Sequence, residues 1–296
     1  MRPTWGLWAL RRVGRSGAGG EQVEAVPAGG VICVLGDAHL DVVVRLTGPQ
    51  AIDTDTQAST RLSLGGQAAN VAAWVVALGG RSRLIAATAK DLAANLVTSE
   101  LINRGIELVG PVIDGTTGIV VALSDGGSQR TMLTDRGVGP RLTATSVSAA
   151  WLDGCAWLHL PAYSLTAEPV AGAALAAVTA ARERGARISV DLSSTAAISA
   201  FGVAEFRDLI EEVGPDLVLG NKAETDLVGD LPGTEVISKL GADGVAIGGR
   251  RYPAAHTEPV DATGAGDAFA AGYLVGGVAL GLAAAARAVA TIGGMP

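Results

Sequence analysis

A chain of 296 residues, 49% hydrophobic and 17% charged, is long enough for one large α/β domain and apolar enough to bury a sizeable core. A formal net charge of −7, with no Lys/Arg run interleaved with aromatics after residue 20, argues against an extended nucleic-acid surface. No apolar run reaches the ~20 residues of a membrane span, and no Cys-x-x-Cys or Cys/His cluster suggests zinc. Cys33 and Cys155 each sit in an apolar run and read as buried thiols of a reducing, cytoplasmic compartment.

In chain order, residues 1–29 read as a mobile extension, and residues 30–296 as a single domain. Residues 31–35 form a short apolar run closed by Gly36, a buried-strand signal. Extended stretches follow at 41–46 and 61–64, the second ending in Gly65-Gly66. A helix is predicted over 68–78, closed by Gly79-Gly80. Strands at 84–87 and 106–112 flank a helix at 91–103, and 117–123 with 129–134 predict a hairpin around Asp125-Gly126-Gly127. Strands at 157–160, 188–191, 216–219, 236–238 and 245–247 then alternate with helices at 168–184 and 203–213. Helices at 267–280 and 283–290 complete the chain.

This alternation predicts a mostly parallel sheet covered on both faces, a three-layer α/β/α arrangement. The extra strands of the first third fit a small β-sheet standing off it, with strands from about 42–64 and 117–134.

The segment Asp261-Ala-Thr-Gly-Ala-Gly-Asp267 precedes a small-residue helix. Gly264, Ala265 and Gly266 carry little or no side chain, so their N–H groups can turn to one point at a helix N-terminus, where aligned peptide dipoles favour an anion. Such donors suit the charge that develops on a phosphoryl group in transfer. A carboxylate beside them, Asp267, is badly placed to bind phosphate and well placed to take a proton from an attacking hydroxyl. A plain helix cap at Asp267 is the competing reading, on even terms when the segment is taken alone.

The same residues resemble the second signature of the ribokinase-like (PfkB) family of sugar and nucleoside kinases, with Ala262 departing from it. The first signature is matched by Gly65-Gly66-Gln-Ala-Ala-Asn70 with Gly79 at its expected spacing, while Ala89 stands where the family has Gly. Gly36-Asp-Ala-His-Leu-Asp41, Asn221-Lys-Ala-Glu224 and Lys239-Leu-Gly-Ala-Asp-Gly244 resemble three further family segments.

The resemblance implies a small sheet acting as a lid, with ATP and Mg2+ as cofactors. It implies Asp267 as general base and Gly264, Ala265 and Gly266 as an anion hole. Asp41, Gly65, Gly66 and Asn70 would hold the acceptor, and Asn221, Glu224, Lys239, Gly241 and Gly244 the nucleotide. Asp261 and Thr263 match positions that bind a monovalent cation, potassium, in some members.

The implied activity is ATP-dependent phosphorylation of a hydroxyl of a sugar or nucleoside. Pseudouridine or another nucleoside is placed ahead of ribose, fructose or a deoxy-sugar acid, and a homodimer through the lids is compatible with it. A catalytically silent binding or regulatory protein on the same fold is the alternative. A nicotinamide enzyme and a P-loop kinase are disfavoured, because neither a G-x-G-x-x-G after the first strand nor a G-x-x-x-x-G-K-[ST] is present. His39, next to Asp41 by strand periodicity, reads equally as an acceptor contact or a surface residue. Asn221 reads, apart from the family, as the cap of the helix that carries Glu224.

Overall fold

A computed structural model describes Val26, residues 29–124 and residues 130–296. The expected extension, apart from Val26 and Gly29, and the hairpin tip at 125–127 lie outside the described residues. The strands are β1 (Val31–Leu35), β2 (His39–Leu46), β3 (Ala58–Gly65), β4 (Arg81–Ile85), β5 (Glu107–Val109), β6 (Thr117–Ser124), β7 (Arg130–Gly137), β8 (Cys155–Pro161), β9 (Arg187–Asp191), β10 (Leu217–Asn221), β11 (Glu235–Lys239), β12 (Val245–Ile247) and β13 (Arg250–Tyr252). The helices are α1 (Gln67–Ala77), α2 (Leu92–Asn103), α3 (Val170–Glu183), α4 (Thr195–Phe201), α5 (Val203–Val213), α6 (Lys222–Val228) and α7 (Ala265–Val289).

Nine strands form the main sheet in the order β13-β12-β11-β10-β9-β8-β1-β4-β5. All pairs from β11 to β5 are parallel, and β12 and β13 add antiparallel at one edge. Strand alternation sends Cys33 and Leu35 to one face, with Leu158, Ala174, Phe206 and Ile210, and Ile32 and Val34 to the other, with Trp74, Leu101, Phe269 and Leu274. Helices α3, α5 and α6 thus cover one face and α1, α2 and α7 the other. Both faces of β1 are buried, which is why it reads as an unbroken apolar run.

Helix α7 differs from the expected pair. The second helix was expected to begin at 283, but the break lies at Gly276 (φ −154°) and Gly277 (φ 81°). The break lets the second half pack on the first, with Gly272 and Gly281 in backbone contact. A Cβ on Gly272 would stand 2.7 Å from Gly281 Cα, so the small residues set this approach. By length and composition this helix could cross a membrane, which the absence of a long apolar run had argued against. It is broken at mid-length and buries Phe269, Ala270, Ala271 and Leu274 in the core beside α1. Helix α4 and strand β13 were not expected: α4 is a seven-residue helix capped by Ser194, and β13 is a three-residue edge strand with two exposed arginines, so neither carries a clear period.

The second sheet has the order β3-β2-β6-β7, with β2 and β6 parallel and the outer pairs antiparallel. It occupies the place expected of the lid, and its strands run slightly longer than predicted. Alternation puts His39, Asp41 and Ser63 on one face. Leu62, Ile119 and Leu133 share the other face and are exposed.

Candidate active site

Helix α7 begins at Ala265 with Gly264 as N-cap at φ 75°, and no side chain caps it. No capping side chain takes up the first-turn N–H groups, while Ala265 N–H makes a long bond of 3.3 Å to the Ala262 carbonyl. Asp267 sits in the first turn and is not the cap; its Oδ2 accepts from Asn70 Nδ2 at 2.8 Å. The cap reading of Asp267 is set aside by this geometry. Asp267 keeps some exposed surface, as a group that meets a ligand must, yet it lies deep among protein atoms. Burial pushes its carboxyl up to about 7, the nearby Asp191 adds to the rise, and Asn70, Lys239 and Gln67 oppose it. A carboxyl titrating there is matched to general-base work near neutral pH.

Asp261 closes the preceding turn. Its Oδ1 accepts from Thr263 N–H (2.9 Å) and Thr263 Oγ1 (2.7 Å), and its Oδ2 from Gly293 N–H (3.1 Å). The C-terminal segment is thereby drawn against the loop. Trp74 Nε1 donates to the Gly294 carbonyl at 2.9 Å, and a Cβ on Gly294 would meet Asn70 Nδ2 at 2.8 Å. Gly264 itself abuts the Gly294 backbone.

The residues expected to meet the acceptor stand at the junction of β1, β2 and α1. Gly66 (φ 100°) turns the chain from β3 into α1, and its Cα faces the Asp37 carbonyl too closely for any side chain. Gly65 leaves the same space for the Asp41 carboxylate. His39 Nδ1 lies 2.9 Å from Asp41 Oδ1, but out of line for a hydrogen bond. His39 is thus a neighbour of Asp41 rather than a surface residue.

Two buried polar atoms on this side have no protein partner, Asp37 Oδ1 and Asn70 Oδ1, and His39 Nδ1 and Asp41 Oδ1 have only each other. Buried polar atoms are seldom left unpaired, so these point to a hydroxylated ligand. Asp37 Oδ2 also receives Arg136 Nε at 2.5 Å from the end of β7, and that guanidinium stands over the Tyr163 ring at 5.9 Å. The pair ties the small sheet to the body. Asp37 and Tyr163 were not foreseen as site residues, although Asp37 shares the period of His39 and Asp41.

Among the residues expected to meet the nucleotide, Asn221 ends β10 and forms a reciprocal capping box with Glu224: Glu224 N–H donates to Asn221 Oδ1 (3.0 Å), while Asn221 N–H and Nδ2 donate to the two Glu224 oxygens (2.8 and 2.7 Å). The cap reading of Asn221 therefore holds as a structural role. Glu224 is 4% exposed, and burial raises its carboxyl above the ordinary range.

Lys239 ends β11 and reaches Asp191, at the end of β9, with Nζ–Oδ2 at 2.6 Å. Its ammonium also feels Asp267 and Glu224, so one cation stands among three carboxylates. Gly241 (φ 63°) and Gly244 (φ 88°) form the turn into β12. A Cβ on Gly244 would strike the 252–254 backbone, while none of the described atoms lies within 4 Å of one on Gly241.

The sequence-predicted residues thus fall in two groups on either side of Asp267. The acidic surplus around Lys239 fits a divalent cation carried in by a polyphosphate. Among the described residues no group of three or more His, Cys, Asp or Glu side chains is assembled to hold a metal.

The model for pfkB family carbohydrate kinases matches residues 31–295. A fructokinase of Escherichia coli is 29% identical over 275 residues, 85% of each chain. An ATP-dependent ribose-1-phosphate kinase of Halopiger xanaduensis is 29% identical over 248 residues, 81% of this chain and 82% of its own. In structure, the adenosine kinase of Sinorhizobium meliloti superposes with a TM-score of 0.80 at 22% identity, covering 91% of this chain and 96% of its own. An Escherichia coli protein assigned as a ribokinase II, solved with ATP and Mg2+, gives 0.77 at 21% identity, covering 90% and 94%. The fold is that of these ribokinase-like proteins.

Proposed function

The chain belongs to the pfkB family of carbohydrate kinases, and we propose that it transfers the γ-phosphoryl group of ATP to a hydroxyl of a sugar or nucleoside, with Asp267 as general base. The observation that carries this reading is the 2.8 Å contact from Asn70, whose Oδ1 is buried and unpaired, to Asp267, a carboxyl that burial raises to about 7.

The acceptor's ring hydroxyls lie against Asp41, Asp37 and Asn70, and Gly65 and Gly66 let the ligand approach the backbone. Asp41 accepts from a hydroxyl, and Asn70 can both donate and accept. The reacting hydroxyl gives its proton to Asp267 as its oxygen attacks phosphorus. The N–H groups at Gly264, Ala265 and Gly266 take the charge that develops on the phosphoryl oxygens. Asn221 and Glu224 act through water on the nucleotide, and Gly241 and Gly244 admit it to the backbone. Magnesium, when bound, neutralises the phosphate charge that the acidic site would otherwise repel. Potassium near Asp261 and Thr263 would stiffen the loop that holds Gly264.

The small sheet acts as the lid, held down by Arg136 on Asp37, and it excludes water from the transfer. Leu62, Ile119 and Leu133 on its outer face support a homodimer through the lids. Two buried free thiols suit a reducing, cytoplasmic setting.

The acceptor is read by a phosphorylation panel with Mg·ATP, with and without K+, that contains fructose, ribose, ribose 1-phosphate, adenosine and pseudouridine. These share the vicinal hydroxyls that Asp41 and Asn70 would recognise. Turnover of one of them is expected; ATP binding without turnover of any would favour the silent binding protein. For the acceptor so found, Asp41→Ala is expected to raise KM by about 10²-fold with a smaller change in kcat, since it leaves a recognised hydroxyl unpaired. An unchanged KM would remove Asp41 from the acceptor site.

A further inference from the structure

Asp191, Asn221 and Lys239 stand at the C-terminal ends of β9, β10 and β11, three neighbouring parallel strands. That edge of an open α/β sheet is where ligands bind. The Lys239 side chain passes over β10 to Asp191, and both are largely buried, 15% and 2% exposed. A buried ion pair is a poor device for stability, because two charges lose their water to make it.

The surroundings give the pair a direction. Lys239 Nζ bears three donors, and Asp191 Oδ2 takes one. The next landmark is the glycine loop: a Cβ built on Gly266 would sit 3.1 Å from Nζ. The ammonium therefore lies against the hole where the transferring group is placed.

Asp191 is itself held firmly. Its Oδ1 accepts from Ser193 N–H at 3.0 Å, and Ser193 is kept at φ 63°, a left-handed conformation unusual for a residue with a side chain. Ser193 Oγ in turn donates to the Asp191 carbonyl and accepts from Ala162 N–H at 3.0 Å. Strain of this kind persists where the surroundings over-determine a position.

The titratable groups around the pair come from five elements: His159 on β8, Asp191 on β9, Glu224 on α6, Lys239 on β11 and Asp267 on α7. His159 is fully buried, 2.9 Å from Ser189 Oγ, and burial pushes it down to about 4, so it stays neutral and does not compete for Asp191.

We propose that Lys239 is a catalytic cation for the transferring phosphoryl group, and that Asp191 is the positioning residue that holds its ammonium beside Gly266. This rests on the kinase reading above. As the acceptor oxygen bonds to phosphorus, the bond from phosphorus to the β-phosphate oxygen breaks and its electron pair leaves with ADP. The hydroxyl proton goes to Asp267. Lys239 transfers no proton; its two remaining N–H donors meet the equatorial phosphoryl oxygens, and Asp191 keeps the third.

The test uses Lys239→Met, Asp191→Asn and the double variant, each with its melting temperature and its kcat and KM for ATP. Lys239→Met is expected to lower kcat by about 10²–10³-fold with less than about a tenfold change in KM, the pattern of an interaction made in the transition state. Asp191→Asn is expected to lower kcat by about tenfold or more, because a misaimed charge is a poor donor. The double variant removes both charges and recovers thermal stability, yet stays as slow as Lys239→Met. Recovery of kcat together with stability would make the pair merely structural and overturn the proposal. A Lys239→Met enzyme within about threefold of the unaltered protein, less than about 1 kcal/mol of barrier, would do the same. Turnover by the unaltered protein separates the failures. If no acceptor is phosphorylated, the kinase reading falls and this inference with it. If the unaltered protein turns over and the variants match it, only this inference falls.

Discussion

Asp267→Asn is expected to abolish most turnover while making the protein harder to unfold. The loss of a positioned base costs about 10²–10⁴-fold in kcat, and the amide oxygen introduced at this position can still accept from Asn70, so the fold around it persists. The gain in stability follows from the carboxyl at about 7, raised by burial from its usual 3.8. In the folded chain the charged form is disfavoured, so the stability tied to this group is fully present below about pH 4 and is lost as pH rises through 7. At pH 8 the ionised carboxylate costs the fold up to about 4 kcal/mol, and the Asn variant escapes that cost. Melting temperatures of the two proteins should therefore diverge at about pH 8 and converge at about pH 4. His159, which burial pushes down to about 4, is present in both proteins. A variant that melts lower than the parent at pH 8 would contradict the raised carboxyl. The unaltered enzyme should show kcat/KM falling about tenfold per pH unit below about 6, as its base becomes protonated.

Gly264→Ala is expected to damage both sides of the site at once. Position 264 has φ 75°, where an L-residue costs roughly 1–2 kcal/mol. Its Cβ would press into the Gly294 backbone, which cannot swing aside as a side chain could. Overpacking against backbone adds about 1–3 kcal/mol. The strand of chain displaced is the one that receives Trp74 and lies on Asn70, so the acceptor side shifts with the loop. A drop of about 10²-fold in kcat is expected, the scale of a misplacement near 1 Å, with a clear fall in melting temperature. Wild-type kcat in this variant would mean that the loop works without its contact to residue 294.

Much of this site could be read from the chain, for reasons that differ by residue. The loop 261–267 was legible because backbone donors need small residues and a following helix, both local properties of sequence. Asp41 was picked out only by the resemblance of Gly36-Asp-Ala-His-Leu-Asp41 to a family segment, since a lone carboxylate on a strand reads otherwise as an exposed residue. Sequence alone left base and cap even for Asp267; the structure removes the cap, because Gly264 holds that place and Asp267 instead meets Asn70, a residue 197 positions away. Asp191 was hidden for the same reason, and Arg136, which falls where the family has a lid-side motif, had no readable role: each gains its meaning from a partner, Lys239 or Asp37, that only the order of strands brings near. The signal for Asp191 was there in weak form, as a carboxylate closing a buried parallel strand. The kink in α7 was misplaced because glycines at 276–277 and at 281 look alike in sequence. Only the backbone contact between Gly272 and Gly281 tells which pair bends and which packs.

The make-up of the lid bears on the order in which the molecule assembles. Its four strands come as two hairpins, β2–β3 and β6–β7, and the sheet exists only where β2 meets β6 in parallel. Between them run α1, β4, α2 and β5, all built into the body. A lone hairpin is marginal in water, and closing the long loop that joins two of them costs entropy before any contact repays it. The body must therefore form first and hold the two hairpins at the right separation. The pairing of Asp41 with Ser63 across β2 and β3, and the ion pair from Arg136 to Asp37, come into being last, on a main sheet that already stands.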